Sequence, residues 1–450
     1  MSGATHRFVE IPADDRAWLL TALRSALQGG DAVLPLGPGV AAGKPREIGA
    51  EAAVVVRTSG STGVPKDVAL SAAALLANAR ASHEALGGDG QWLVALPTHL
   101  ISGLGMLVRS IVAETRPIFA ADGSAEAILA AAEQMTHERR YVSLVPVQLQ
   151  RLLEACERDA AALGTCRGFA AILVGGGAVA LEVRQRAHEL GLNVVRTYGS
   201  TETAGGCVYD GVEIGDTLVR VRDGEVQLAG SNLALGYVGD ETGTRARFFV
   251  ETDRRGVARR WYRTGDSGSL LGGMLQVTGR LDRVFISGGV NVSLDEIERV
   301  ALADGRVAEC VAVALSSVEW GQRAALVVVP QEGAERGVAA AGVGEVSPGV
   351  EAAASAGVPG CARPVTDDVS RETFGVAELD AHSQQPVAPA QPAAAACGDL
   401  LAALNTALRA ACGAAAQLCA LRTVAELPRL ASGKPDFRAA AALFAGEDIR

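Results

Sequence analysis

From residue 54 to about residue 200, short apolar runs alternate with stretches whose apolar positions recur at helical spacing. The first run, 54–56, leads through a glycine-rich segment into an alanine-rich helical stretch at 71–86, with Ser71 placed to cap it. Residues 92–96 read as a strand and 104–113 as a helix. Buried strands follow at 117–119, 142–145 and 172–174, with helices near 125–135, 146–156 and 181–190. Strand and helix in regular alternation predict mostly parallel sheets covered on both faces.

The pattern then changes twice. Residues 205–279 carry more glycine, short strands and turn clusters, as expected of a smaller antiparallel β unit. After Arg280-Leu281-Asp282 it restarts with a strand at 284–287, a helix at 294–303 and strands at 307–314 and 324–329. A helix at 399–411 and a strand near 420–424 complete it. Between them, residues 331–396 are rich in Ala, Gly, Pro, Gln and Ser and almost devoid of periodicity. Such a composition cannot offset its ordering entropy, and predicts a disordered insertion. The expected fold is α/β. A large N-terminal domain (1–279) of mostly parallel sheets flanked by helices carries the small β unit. A hinge (280–283) joins it to a small mobile α+β lid domain (284–450).

Composition narrows the classes of function. A length of 450 residues predicts two or three domains, and 49% hydrophobic with 20% charged residues is that of a globular chain with ample core. A net charge of −10 argues against a nucleic-acid partner or an anionic membrane surface. The first twenty residues lack a basic n-region, and no run of eighteen apolar residues occurs, so neither a signal peptide nor membrane insertion is expected. Eight cysteines stand singly, without a C-x-x-C pair, which fits a reducing cytoplasm. Six histidines form no H-E-x-x-H pair, which argues against a transition-metal site. Oligomerisation is left open.

Candidate chemistry begins at Thr58-Ser59-Gly60-Ser61-Thr62-Gly63-Val64-Pro65-Lys66. Glycines let backbone N–H groups turn inward, hydroxyls add donors and lysine adds a point charge, which together make a phosphate cradle. The spacing is not that of a Walker A loop, because Pro65 stands five positions after Gly60 and Asp67 follows Lys66. Gly175-Gly176-Gly177 follows a predicted strand, where it suits a tight turn or a backbone surface for a purine ring. A dinucleotide site is disfavoured, since the next strand carries no acidic residue. Tyr198-Gly199-Ser200-Thr201-Glu202 ends the next strand, where open α/β sheets bind ligands. Tyr198 offers an aromatic face, Thr201 a hydroxyl, and Glu202 a hard carboxylate suited to Mg2+. Asp266 can accept two ribose hydroxyls, and Arg280 can pair with a phosphate. Arg280 and Asp282 also mark the domain junction. Near the end, Ser432-Gly433-Lys434 puts a lysine on a glycine-containing loop.

In this order, the segments resemble the adenylate-forming superfamily of acyl-CoA synthetases, adenylation domains and luciferases, from about Val54 to the end apart from the insertion. Within it, the chain is most similar to the o-succinylbenzoate–CoA ligase group of menaquinone biosynthesis. Gly205-Gly206-Cys207-Val208-Tyr209-Asp210-Gly211 is the most distinctive shared segment, with Leu107-Val108-Arg109-Ser110 and Val195-Arg196-Thr197-Tyr198-Gly199 beside it.

The resemblance implies ATP-dependent formation of an acyl-adenylate, followed by transfer to coenzyme A. Ser59, Ser61, Thr62 and Lys66 would hold the β- and γ-phosphates, Thr201 and Glu202 the Mg2+, and Asp266 the ribose. Lys434 would meet the α-phosphate and carboxylate. Rotation about Asp282 would then withdraw Lys434 and bring Gly288-Gly289 to the thiol channel. His99, Ser102 and Gly103 would line the acyl pocket, although Leu100 stands where the family usually has histidine. The second carboxylate of o-succinylbenzoate needs a cation, for which Arg109 and Arg196 are the candidates. Another acid, a carrier-protein thiol as acceptor, or a nucleotide-binding relative without catalysis are the alternatives.

Overall fold

The computed structural model describes residues 5–40, 46–58, 66–331, 394–430 and 435–445. Its parallel core is the seven-stranded sheet. In spatial order the strands are Val212–Glu213, Gly205–Tyr209, Val194–Ser200, Ala171–Val174, Arg140–Leu144, Gln91–Val94 and Ile118–Phe119. The five from Val194–Ser200 to Ile118–Phe119 are parallel, and the other two return antiparallel. Helices Ala72–Ala85 and Ile101–Val112 lie between this sheet and a six-stranded one, and Ser71 caps the former by accepting from the Ala74 N–H at 3.1 Å. Ala125–Ala132, Pro146–Arg158, Leu181–Glu189 and an unforeseen helix, Ala160–Arg167, cover the other face.

The six-stranded sheet is mixed and corrects the expectation around the glycine-rich run. That run does not lead straight into the helix, because strand Lys66–Ser71 intervenes and pairs antiparallel with Ala52–Thr58. A connection as short as 59–65 permits a hairpin but not a parallel crossover. Strands Thr5–Pro12, Ala32–Leu36 and Arg46–Gly49 extend one side and Gly236–Tyr237 the other. Trp92 and Tyr141 are fully buried at the centre of the core, with ring centroids 5.0 Å apart.

The antiparallel unit expected after residue 205 is built of Leu218–Arg222, Glu225–Ala229, Ala258–Leu271 and Phe248–Thr252, with Met274–Arg280 paired to Ala258–Leu271. Beyond it, a second five-stranded sheet runs Val290–Ser293, Val284–Ser287, Gly321–Pro330 and Val307–Ser317, with Leu418–Thr423 parallel to Gly321–Pro330. Helices Leu294–Leu302 and Ala394–Cys412 pack on one face of it. The insertion predicted at 331–396 lies outside the described residues except at its edges, and the helix beginning at Ala394 reaches into its expected far boundary. Among the described residues, no helix is long and apolar enough to cross a membrane.

Candidate active site

The hairpin Ala52–Thr58/Lys66–Ser71 holds the two ends of the glycine-rich run. Thr58 and Lys66 stand opposite each other, and the Thr58 hydroxyl donates to the Lys66 carbonyl at 3.2 Å. Ser59, Gly60, Ser61, Thr62 and Gly63 lie outside the described residues. The Lys66 ammonium sits 4.8 Å from the centre of the Tyr237 ring. Asp67 neither pairs with Lys66 nor stands uncompensated: its in-register partner Arg57 binds both its oxygens, at 2.8 and 3.0 Å.

The parallel register of Ala171–Val174 with Val194–Ser200 brings Gly175-Gly176-Gly177 beside Tyr198-Gly199-Ser200-Thr201-Glu202 at the carboxyl ends of the strands. Gly199 is required there: a Cβ would fall 2.2 Å from the Gly205 carbonyl oxygen, at the bulge where the next strand turns back. Thr203 rigidifies the turn by accepting the Ser200 N–H at 2.8 Å while donating to backbone carbonyls. Thr201 is buried. The Tyr237 hydroxyl donates to the Glu202 carboxylate at 3.0 Å, and the Glu202 carbonyl accepts the Ala234 N–H at 2.8 Å. Burial and the neighbouring Glu202 push the Tyr237 phenol up, so it stays a donor.

Asp266 receives the Tyr198 hydroxyl at 2.6 Å on one oxygen and an Arg280 N–H at 3.0 Å on the other. Burial raises the Asp266 carboxyl, against the lowering influence of Tyr198 and Arg280. Arg280 also grips Asp282 in bidentate fashion, at 2.8 and 2.9 Å. The junction continues into the last sheet. The Arg280 N–H donates to Asp295 at 2.6 Å, and Arg283 pairs with Asp295 and Glu298 while lying 4.3 Å from the Phe437 ring centre. Phe437 stands three residues after Lys434, which lies outside the described residues. Arg429 and Pro435 form an isolated antiparallel bridge. Gly288 and Gly289 form the hairpin turn after Val284–Ser287, with φ of 55° and 84°.

The other candidate residues occupy three different settings. Gly103 lies in the first turn of helix Ile101–Val112 close under the preceding loop, where a Cβ would meet the Pro97 carbonyl oxygen at 2.3 Å. Ser102 beside it is exposed, and His99 is half-buried against Gly37, with its pKa lowered by that burial. Arg196 is spent at the surface on Asp210, at 2.9 Å. Arg109 is only 5% exposed. Its guanidinium lies 4.9 Å from the Trp92 ring centre and donates to the Asn78 side-chain oxygen at 3.3 Å. Its buried Nε finds no partner, and no carboxylate among the described residues pairs with it. The Asn78 amide in turn donates to the Gly206 carbonyl at 2.8 Å, which places Arg109 beneath the turn bearing Thr201 and Glu202.

Sequence reasoning missed Tyr237, Asn78 and Arg260, and gave Tyr262, in the segment that ends at Asp266, no role of its own. Tyr262 stacks on Phe248 at 4.9 Å, and Phe248 meets Tyr237 edge-on at 6.0 Å, so the three form an aromatic wall behind Glu202. Aromatic residues make up only 4% of this chain, and that scarcity was the signal available.

The model of the AMP-binding enzymes matches residues 13–238, a span that holds the phosphate hairpin, the strand-end turn and Tyr237. The chain belongs to the AMP-binding enzyme family. This AMP-binding enzyme is 36% identical over 343 residues to a probable 2-succinylbenzoate–CoA ligase of Mycobacterium tuberculosis strain H37Rv, covering 73% of this chain and 85% of that one. Its fold matches that of the Bacillus subtilis o-succinylbenzoate CoA synthetase, solved with the acyl-adenylate intermediate OSB-AMP. The TM-score is 0.62 at 21% identity, over 98% of this chain and 82% of that one. An amide bond synthetase from Marinactinospora thermotolerans matches at TM-score 0.64 and 20% identity, over 97% and 80% of the two chains. Backbone likeness therefore does not choose the acid or the acceptor; side chains must.

Proposed function

We propose that this AMP-binding enzyme adenylates o-succinylbenzoate with ATP and passes the acyl group to coenzyme A, a step of menaquinone biosynthesis in the cytoplasm. The chemistry is that of an AMP-forming acid–thiol ligase. A carboxylate oxygen of the acid attacks the α-phosphorus, the bond to the bridging oxygen breaks and pyrophosphate leaves. The thiol sulfur then attacks the acyl carbon, gives its proton to solvent and displaces AMP.

Each residue group answers one demand of that sequence. The hydroxyls and N–H groups of 58–63 with Lys66 grip the β- and γ-phosphates. Asp266, held by Tyr198 and Arg280, takes the ribose hydroxyls. The glycine turn 175–177 offers backbone to the adenine, beside Tyr198. Lys434 neutralises charge on the α-phosphate and the attacking carboxylate, where the transition state concentrates it. Mg2+ arriving with ATP fits Glu202 and Thr201, because Tyr237 engages one carboxylate oxygen and leaves the other for a hard cation. Among the described residues, no three His, Cys, Asp or Glu side chains gather to hold an ion, so its remaining ligands would be phosphate and water. When bound, the ion would offset the charge that grows on the leaving pyrophosphate.

The observation that carries the choice of acid is Arg109. A guanidinium that is 5% exposed, short of hydrogen-bond partners and placed beneath the strand-end turn is suited to a second carboxylate. A monocarboxylic fatty or aryl acid has no use for it. Segment 280–283 serves as the hinge, and the unit beyond it as a lid whose rotation exchanges Lys434 for the Gly288-Gly289 turn between the two half-reactions.

ATP–pyrophosphate exchange with o-succinylbenzoate, benzoate and a fatty acid tests this reading. Exchange is expected with the dicarboxylate at a far lower concentration than with either monocarboxylate. Exchange confined to a monocarboxylate would overturn the choice of acid, and exchange with no acid would overturn the activity.

A further inference from the structure

Lys66 and Glu202 come from different sheets, yet one side chain touches both. Tyr237 presents its ring face to the Lys66 ammonium, 4.8 Å from the ring centre, and its hydroxyl to the Glu202 carboxylate, at 3.0 Å. We propose that Tyr237 is a positioning residue that holds the phosphate-loop lysine and the metal-binding carboxylate in fixed relation, so that MgATP is gripped as one unit. The proposal rests on the roles given above to Lys66 and Glu202.

The surroundings show that Tyr237 is placed rather than merely packed. Gly236–Tyr237 is a two-residue strand paired with Lys66–Ser71; Tyr237 stands opposite Val68, and Lys66, two positions before Val68 on the neighbouring strand, reaches the ring as a diagonal neighbour. The Leu235 and Val238 N–H groups donate to the carbonyls of Ala69 and Asp67 at 2.8 Å each, and extend that pairing in both directions. The Tyr237 N–H donates to Thr244 Oγ1 at 2.9 Å. From the opposite side, the Arg260 guanidinium donates to the Ala234 and Leu235 carbonyls, at 2.5 and 2.8 Å, while lying 4.4 Å from the Phe248 ring centre. The Ala234 N–H returns to the Glu202 carbonyl, so segment 234–237 straps Glu202 through both backbone and side chain.

The two contacts have separable consequences. A hydrogen bond from a neutral phenol orients Glu202 without cancelling its charge, leaving one oxygen aimed for a cation. An aromatic face holds an ammonium without a competing carboxylate, so the Lys66 charge remains available to phosphate.

The test titrates ATP into the protein by calorimetry, with and without Mg2+, for the wild type, Tyr237→Phe, Tyr237→Leu, Glu202→Gln and the double variant Glu202→Gln/Tyr237→Phe. Tyr237→Phe keeps the ring and loses the hydroxyl. It should cut the Mg2+-dependent gain in ATP affinity by about tenfold, while metal-free ATP affinity and KM for the acid stay within about twofold. Tyr237→Leu should in addition weaken metal-free ATP. In the Glu202→Gln background, Tyr237→Phe should have no further effect. An intact Mg2+ gain in Tyr237→Phe would overturn the proposal. So would parallel losses of acid, metal-free ATP and MgATP affinity with a lowered Tm, the signature of a purely structural residue. If wild-type protein shows the expected titrations but no pyrophosphate exchange with any acid, the proposed activity fails and the role of Tyr237 stands.

Discussion

Enclosing the Arg109 guanidinium with one side-chain hydrogen bond and one aromatic face leaves much of its desolvation uncompensated, a cost on the order of several kcal/mol for an ion. Arg109→Met should therefore be neutral or stabilising in thermal unfolding, while raising KM for o-succinylbenzoate about tenfold or more. A lowered Tm with unchanged KM would assign Arg109 to the core. Asp266 gives a second expectation, in pH. Its carboxyl is raised in the folded protein, so its contribution to stability is fully present below the unfolded value of 3.8 and is lost as pH rises through the folded one. The ribose contact proposed for Asp266 needs the charged form and runs the other way. The kcat/KM for ATP should fall on acidification with a limb above 3.8, and Arg280→Ala, which removes a lowering partner, should move that limb to higher pH. Asp67 shows what a motif conceals at this scale. Its place after Lys66 puts a negative charge beside a phosphate motif, but the hairpin register that hands it to Arg57 is a property of the paired strands and not of the motif.

At the level of elements, the capped helix after Ser71, the strands read at 142–145 and 172–174 and the helix from Pro146 were legible because burial follows periodicity there. Strand Lys66–Ser71 was not, since its six residues begin in the motif and end at the helix cap, and its short apolar run Val68-Ala69-Leu70 leads straight into the alanine-rich helical pattern. The strand Gly236–Tyr237 was beyond reach for a similar reason: two residues have no period, and their strand character comes entirely from the neighbour they pair with. The site followed the same division. The strand-end turn at 198–202 was visible in residue types, whereas the aromatic wall behind it depends on a distant sheet folding back. Gly199 tests the turn. Gly199→Ala would drive a methyl against the Gly205 backbone, and should cost about 1–3 kcal/mol in denaturant unfolding. Adenylation should fall with it, because Ser200, Thr201 and Glu202 shift together. Full stability and activity in that variant would show that the bulge relaxes freely.

Across the whole molecule, the contacts that join the two ends of the proposed reaction cycle are polar. Asp266 reaches Arg280, Arg280 reaches Asp282 and Asp295, and Arg283 reaches Phe437, three residues beyond Lys434. Ion pairs and single hydrogen bonds of this kind can exchange partners at small net cost, which suits the turning proposed for this junction. The sheets on either side are instead held by continuous apolar cores. One enzyme is thus proposed to perform both halves of the reaction on a dicarboxylate. Product analysis after incubation with o-succinylbenzoate, MgATP and coenzyme A tests this. The o-succinylbenzoyl-CoA thioester is expected, with AMP and pyrophosphate in equal amounts. ADP with phosphate, or no thioester from this acid while another acid is consumed, would contradict it.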